Sequence, residues 1–420
     1  MTPDAARPVL VIGGGIAGLT AAVELADAGA SVLLVEKSAS LGGRVARMHQ
    51  YFPKLCPPSC GLEMHYRRLR NRDAITVLTL ADVTEVTGTA GNFEAVVKVQ
   101  PRFVNQSCTL CGKCAEACPA ERPDDFNYGL TKTKAAYLPH GMAYPPLYAL
   151  DRRACASGCH ACQEACSYQA IELDRQPEIR KYKVSAVIAA TGWKPYDASK
   201  LIHLGFGKFP NVITNVQLER YAAVDGPTTG RILRPSDGKE PHTVAFVQCA
   251  GSRDENHLPY CSAVCCAASL KHASYIRGLY PETAITIFYI DVRTPGKLEE
   301  FYTRVERDAG PRMIRGKVAR VEENPATRDL MVTAEDTLSG RKSTMHFELV
   351  VLATGIVPQT DGLPAALRRD EFGFLEGGAA GFQPAGSVRR PADVSSVVED
   401  ATGAALKALQ PFNRSVSHAQ

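Results

Sequence analysis

Val9-Leu10-Val11-Ile12-Gly13-Gly14-Gly15-Ile16-Ala17-Gly18 decides the fold of this chain. Four apolar residues read as a short buried strand, and Gly13-x-Gly15-x-x-Gly18 follows at once. Leu19 to Gly29 reads as a helix, Ser31 to Val35 as a second strand, and Glu36 closes it. Strand, GxGxxG, helix, strand and acid together make a dinucleotide-binding unit. The glycines permit a tight turn and bring backbone close to a pyrophosphate. The helix N-terminus offers free N–H groups and the positive end of its dipole to that anion. Glu36 is placed to accept from ribose hydroxyls. Gly13, Gly15, Gly18, Glu36 and the adjoining Lys37 are the candidate nucleotide residues.

Around this unit lie 420 residues, 45% of them hydrophobic, enough for two or three domains with their own cores. A net charge of +4 argues against general nucleic-acid binding. No apolar run approaches the roughly 18 residues of a membrane span. Met1 to Pro8 has one arginine and no apolar block of a leader, so a cytoplasmic location is expected.

Leu41-Gly42-Gly43-Arg44 follows the acidic strand, as in FAD-binding flavoproteins with two dinucleotide domains. Val187-Ile188-Ala189-Ala190-Thr191-Gly192 and Val350-Val351-Leu352-Ala353-Thr354-Gly355 resemble the paired strand ends of that superfamily. The resemblance implies an α/β, thioredoxin reductase-like fold and FAD, and adds Gly43, Arg44, Thr191, Gly192 and Gly355 to the candidates. It also implies that the chain leaves the FAD domain near Gly192 and re-enters near Phe347. The second domain would start with strands at Thr243 to Gln248 and Ala284 to Ile290. Where its own GxGxxG belongs stands Cys249-Ala250-Gly251-Ser252-Arg253-Asp254, with one glycine, so NAD(P)H is not expected there in the usual way. Near the C-terminus, Pro384-Ala385-Gly386-Ser387 replaces the Gly-Asp pair that such flavoproteins often use. A helix then opens near Val394 and runs through Leu409.

All fourteen cysteines fall in four groups. Cys108-x2-Cys111-x2-Cys114-x3-Cys118-Pro119 is the bacterial ferredoxin run, in which the fourth cysteine ligates the other cluster. Cys155-x3-Cys159-x2-Cys162-x3-Cys166 is its partner, with one extra residue in its first spacing and Ser167 in place of proline. By that crossover one [4Fe–4S] cluster takes Cys108, Cys111, Cys114 and Cys166. The other takes Cys155, Cys159, Cys162 and Cys118. His160 is a candidate substitute ligand or a solvent-facing loop residue. The Tyr- and Pro-rich stretch Ala120 to Ala154 is either a packed loop shielding the clusters or a docking surface. Arg67-Arg68-Leu69-Arg70-Asn71-Arg72 reads as a solvated helix face or a site for an acidic partner.

The third group, Cys249-x11-Cys261-x3-Cys265-Cys266, is neither a common zinc nor a ferredoxin spacing. Together with Gly13 to Gly18, Gly42-Gly43, Phe246 to Asp254 and Tyr260 to Cys266, it resembles the heterodisulfide reductase A-like family of flavoproteins. That resemblance implies a [4Fe–4S] cluster on Cys249, Cys261, Cys265 and Cys266, for two or three clusters in all. Tyr51 to Glu63, with Cys56-Pro57-Pro58-Ser59-Cys60, and the segments Gly192 to Asp197 and Ala250 to Cys261 look like the A component of the quinone-modifying (quinone-interacting), membrane-bound oxidoreductase complexes. This implies an electron-transfer subunit between FAD and clusters, serving APS reductase in dissimilatory sulfur metabolism. It also implies two partners, one carrying a second flavin with iron–sulfur clusters and one a haem-bearing membrane protein, through which the chain would meet the membrane peripherally. Cys56 and Cys60 are either a redox pair near the flavin or structural thiols. The competing expectations are a heterodisulfide reductase A-type or stand-alone flavin disulfide reductase, and a structural scaffold. The expected parts are residues 1–100 (FAD domain), 101–172 (ferredoxin-like insert), 173–240 (return to the FAD domain and linker), 241–345 (second dinucleotide-type domain) and 346–420 (FAD domain again).

Overall fold

The structure, a computed structural model, describes residues 7–363 and 367–416, with side chains through residue 410. The reading of Met1 to Pro8 as lacking a leader therefore falls mostly outside the described residues. Contacts divide the chain into two units; the chain enters the second after Trp193, returns after Val357, and touches the second once more at Pro391–Asp393.

In the first unit Val9–Ile12 is a strand with all four side chains buried, as strands covered on both faces require. It pairs in parallel with Val32–Val35 on one side and Ala186–Ala189 on the other. Phe382–Pro384 and Ile75–Leu78 complete a five-stranded parallel sheet. The helix Ile16–Asp27 begins directly after Gly15, three residues before the sequence-predicted start. Gly18 lies inside it, because the GxGxxG turn ends at its second glycine. An antiparallel sheet of Ala81–Thr89, Asn92–Val99 and Glu178–Val184 packs on the parallel one, with Leu10, Leu33, Val83, Phe93, Val97 and Val187 in the shared core. The final helix, Val394–Val416, runs past Leu409 and packs on the first helix.

The helix Pro58–Arg70 carries the basic run. Arg68 and Arg72 both pair with Asp27 at the end of the first helix, so part of that run is tied down rather than presented to a partner. On the same helix, burial first and Arg68 second push the His65 imidazole down to about 4. The unfolded chain takes up this proton near pH 6.5, so stability present above that pH is lost as pH falls toward 4. We expect a loss of up to about 2 kcal/mol after solvent screening. Urea unfolding at pH 7 and pH 4.5 should show a shallower decline in His65→Gln.

In the second unit the five strands Val212–Thr214, Leu349–Thr354, Thr243–Ala250, Ala284–Tyr289 and Arg312–Arg315 form a parallel sheet in that spatial order. Val318–Glu323, Leu330–Asp336 and Arg341–Phe347 add an antiparallel meander. Two expected boundaries move. Residues 194–240 belong to this unit, supplying its edge strand, instead of returning to the first. Re-entry lies at Val357/Pro358, not near Phe347, because Leu349–Thr354 pairs with Val212–Thr214 and Thr243–Ala250. Gly355 accordingly stands in the second unit.

The helix Cys265–Leu279 backs this sheet and buries a charged triad. Lys271 Nζ and His272 Nε2 lie 2.7 and 2.6 Å from the same Glu219 carboxylate oxygen. Replacing Glu219 by alanine would remove the buried carboxylate that Lys271 and His272 share, an expected cost of about 3–5 kcal/mol in urea unfolding.

Candidate functional site

The glycine turn is built for close approach. A Cβ on Gly13, whose φ is +106°, would stand 2.5 Å from the Ala190 carbonyl oxygen; one on Gly18 would stand 1.8 Å from the Gly13 carbonyl. Gly42 N–H donates to Gly14 O at 2.8 Å, and a Gly43 side chain would begin 2.9 Å from Gly15 Cα. Two glycine-bearing loops thus lie side by side at the N-terminus of the first helix, leaving backbone N–H groups and no side-chain bulk. That cradle fits a pyrophosphate. Glu36 is buried, and its two carboxylate oxygens accept from Gly14 N–H at 2.6 Å and Ser38 N–H at 2.7 Å.

Two other candidates are engaged elsewhere. Lys37 is exposed and reaches Asp82 at 3.8 Å. Arg44 is half-buried, donating to the Trp193 carbonyl at 2.5 Å and the Tyr128 hydroxyl at 3.1 Å, with its guanidinium 4.9 Å from the Trp193 ring centre. It ties the loop to the ferredoxin segment and to the strand end. Thr191 Oγ1 donates to Gln359 O at 2.6 Å, and Gly192 O accepts from Gln359 N–H at 2.9 Å. Gly355 contacts the third cysteine group's loop: a Cβ there would stand 2.2 Å from Ser252 Oγ and 2.8 Å from Ser262 Oγ.

The two ferredoxin motifs fold alike. Each sends its third cysteine, Cys114 or Cys162, into the core from a one-turn helix, Lys113–Glu116 or Ala161–Glu164. Gly112 and Gly158, at φ +82° and +71°, let each loop double back. A small cavity is lined by Cys108, Cys111, Cys114 and Cys166, three from one motif and one from the other. Around Cys162 stand Cys118, Cys155 and Cys159, the reciprocal set. Burial pushes the Cys114 thiol up to about 11, with Cys108 adding to it, so this thiol stays protonated until a metal takes it. Among the described residues no three Cys, His, Asp or Glu side chains are spaced for a single ion. Four thiolates at about 2.3 Å from one zinc stand closer together than four on the corners of a cubane. His160 is exposed, its Nδ1 3.3 Å from Gln163 Oε1.

The segment Ala120 to Ala154 packs inward. Leu41 N–H donates to Tyr144 O at 2.9 Å, Tyr144 stacks on Tyr66, and Arg47 donates to Asp125 O at 2.8 Å. Ser40 and His140 meet at 3.1 Å. The ferredoxin segment is therefore fastened to the second glycine loop.

In the second unit Cys249 ends the first strand of the parallel sheet in the left-handed region, φ +55°. Cys265 and Cys266 open the helix that follows, and Cys261 sits on the connecting loop. Cys249, Cys265 and Cys266 are buried, and Cys261 is half-buried. Burial pushes Cys249 up to about 11 and Cys265 well above the usual thiol range. Ala263 N–H donates to Cys261 Sγ at 3.4 Å, and Cys266 Sγ lies 3.7 Å from Asp291 O. These four sulfurs occupy the strand-to-helix turn where a dinucleotide-binding domain holds its phosphates.

A family profile described as an NAD(P)-binding Rossmann-like domain matches residues 11–66. The A component of the H(2):CoB–CoM heterodisulfide,ferredoxin reductase of Methanothermobacter marburgensis is 39% identical over 96% of this chain. The second iron–sulfur A component of the CoB–CoM heterodisulfide reductase of Methanopyrus kandleri is 41% identical, also over 96%. The chain resembles the heterodisulfide reductase A-type proteins. It spans 63% and 64% of the length of those two relatives. Thioredoxin reductase of T. acidophilum superposes with a TM-score of 0.54 at 15% identity, covering 97% of this chain and 99% of that one. The fold is thus α/β and thioredoxin reductase-like, and the cysteine-rich segment is an addition to it.

Several residues that shape the site carry no local sequence signal. Tyr128 and Trp193 hold Arg44 from 84 and 149 positions away. Arg102 donates to Ala39 O and to Thr79 Oγ1, and burial lowers it to about 10. Cys56 is half-buried, and Cys60 is exposed on the first turn of helix Pro58–Arg70.

Proposed function

We propose that the chain is a heterodisulfide reductase A-type electron-transfer protein, an FAD- and iron–sulfur-dependent oxidoreductase component. FAD would lie in the cradle of Gly13, Gly15, Gly18 and Gly43, and three [4Fe–4S] clusters on the three sets of four cysteines. The observation that carries this reading is the cavity lined by Cys108, Cys111, Cys114 and Cys166, a set that only the ferredoxin crossover assembles. Flavin and cubanes bound there supply the exchange between two-electron and one-electron transfer. The chain's own residues hold the glycine loops together, exclude side chains from the cradle and bury the sulfurs.

The finer placement follows the resemblance of Tyr51 to Glu63, Gly192 to Asp197 and Ala250 to Cys261. The chain would serve a quinone-linked membrane complex that exchanges electrons with APS reductase. Its neighbours there would be a second protein with flavin and iron–sulfur clusters and a haem-bearing membrane protein. No helix among the described residues is long and apolar enough to cross a membrane, so this reading leaves membrane contact to the partners and the chain itself in the cytoplasm.

Anaerobic purification with flavin and iron analysis tests the reading. About one FAD and about twelve iron per chain are expected, with three cluster signals in the reduced protein. Flavin without iron, and no reconstitution, would overturn it. The free, partly accessible thiols of Cys56 and Cys60, four positions apart, support a second reading, a flavin disulfide reductase working through that dithiol. That reading requires rapid flavin bleaching by NADPH in stopped flow. The proposed function predicts none, because cysteines fill the turn that would hold the nucleotide.

A further inference from the structure

Asp291 lies two residues beyond the strand Ala284–Tyr289, the second strand of the second unit's dinucleotide-type core. In such a core an acid at the end of that strand receives the ribose. Here its carboxylate is taken by two arginines. Arg253 Nη1 lies 2.5 Å from Asp291 Oδ1, while Arg293 reaches Oδ1 with Nε at 3.2 Å and Oδ2 with Nη2 at 3.3 Å. The backbone carbonyl of the same aspartate is the atom 3.7 Å from Cys266 Sγ. Each guanidinium also lies near a different sulfur, Arg253 near Cys249 and Arg293 near Cys261. Two cations, set by one anion, thus flank the third cysteine group.

We propose that Arg253 and Arg293, positioned by Asp291, set the reduction potential of the cluster held by Cys249, Cys261, Cys265 and Cys266. The proposal rests on the reading of that group as a cluster. Reduction adds one negative charge to cluster and ligands. Hydrogen bonds to the ligand sulfurs and nearby positive charge stabilise the more negative form. The clamp therefore raises the potential relative to the same four cysteines without it. The ferredoxin cysteines have their own surroundings in the other unit.

The geometry also explains why two arginines are used. A guanidinium is planar with five donors, so each can hold the carboxylate with one edge and face a sulfur with another. Lysine supplies the charge but not the fork.

The test is an EPR-monitored redox titration of the full chain, anaerobically purified, with iron counted in every sample. The variants are Arg253→Gln, Arg293→Gln and Arg293→Lys. Arg293 is half-exposed, so its glutamine variant keeps the fold even if the more buried Arg253→Gln fails to. Each glutamine variant should lower the reduced-to-oxidised ratio of the third cluster about tenfold at fixed ambient potential, about 59 mV for one electron. Arg293→Lys should recover part of that shift, and the two ferredoxin signals should not move. Full iron with a third midpoint unchanged in Arg293→Gln overturns the proposal alone. About eight iron in the unsubstituted chain, with no third signal, removes the cluster and the proposal together.

Discussion

Gly18→Ala is expected to strip flavin from the chain and to destabilise it by about 3 kcal/mol or more. The added Cβ would stand 1.8 Å from the Gly13 carbonyl oxygen and 3.4 Å from Val11 Cγ1. Neither neighbour has room to yield. Gly13 is held by its own N–H to Val35 O at 2.8 Å, and Val11 is fully buried in the central strand. The helix must therefore back away from the turn, and the N–H groups it presents to a pyrophosphate leave with it. Flavin absorbance per chain should fall below about a tenth of the unsubstituted value, and urea unfolding should show the lost stability. Retention of flavin in a stable Gly18→Ala chain would place the cofactor elsewhere.

The second large effect concerns the ferredoxin segment. Substituting Cys166 by serine should remove the same cluster as Cys111→Ser, although the two residues belong to different motifs and lie on opposite sides of the hairpins between them. Both line one cavity with Cys108 and Cys114. Cys159→Ser should remove the other cluster, since Cys159 stands with Cys118, Cys155 and Cys162. Each variant should lose about four of about twelve iron. Cys111 is exposed and adds little to the core, so its loss should leave the fold intact. EPR of the reduced variants decides: matching spectra for Cys111→Ser and Cys166→Ser, distinct from Cys159→Ser, are expected. If Cys166→Ser instead matched Cys159→Ser, each motif would hold its own cluster and the crossover would fail.

Much of this was legible because the signals are local. A glycine turn needs its glycines at fixed offsets after a strand, and cubane ligands need short spacings, so the first strand, the cradle and the cysteine grouping stand in the sequence itself. The domain boundaries were harder. Val187 to Gly192 and Val350 to Gly355 read almost alike, since any buried parallel strand ending at a turn favours such residues. Only pairing separates them: Val187 joins Leu10, whereas Val350 joins Val212 and Ala245. The partners of Arg44, and the arginines around Asp291, were not legible at all. Apart from Arg293, two positions from Asp291, they meet across 38 to 149 positions, and nothing in an isolated arginine tells whether its charge faces water, a carboxylate or a sulfur.

The way the cysteine-bearing segment is mounted has a bearing on how such chains arise and can be rebuilt. Val99 and Glu178 are paired across the antiparallel strands Asn92–Val99 and Glu178–Val184, so everything from Gln100 to Pro177 hangs from neighbouring ends like the loop of one hairpin. A gene segment can enter or leave at such a point without disturbing the register on either side. Joining Val99 to Glu178 by a two-residue turn would give a graft-ready flavin scaffold. Its one scar would be the patch around Leu41, Arg47 and Tyr66 that the lost segment used to cover.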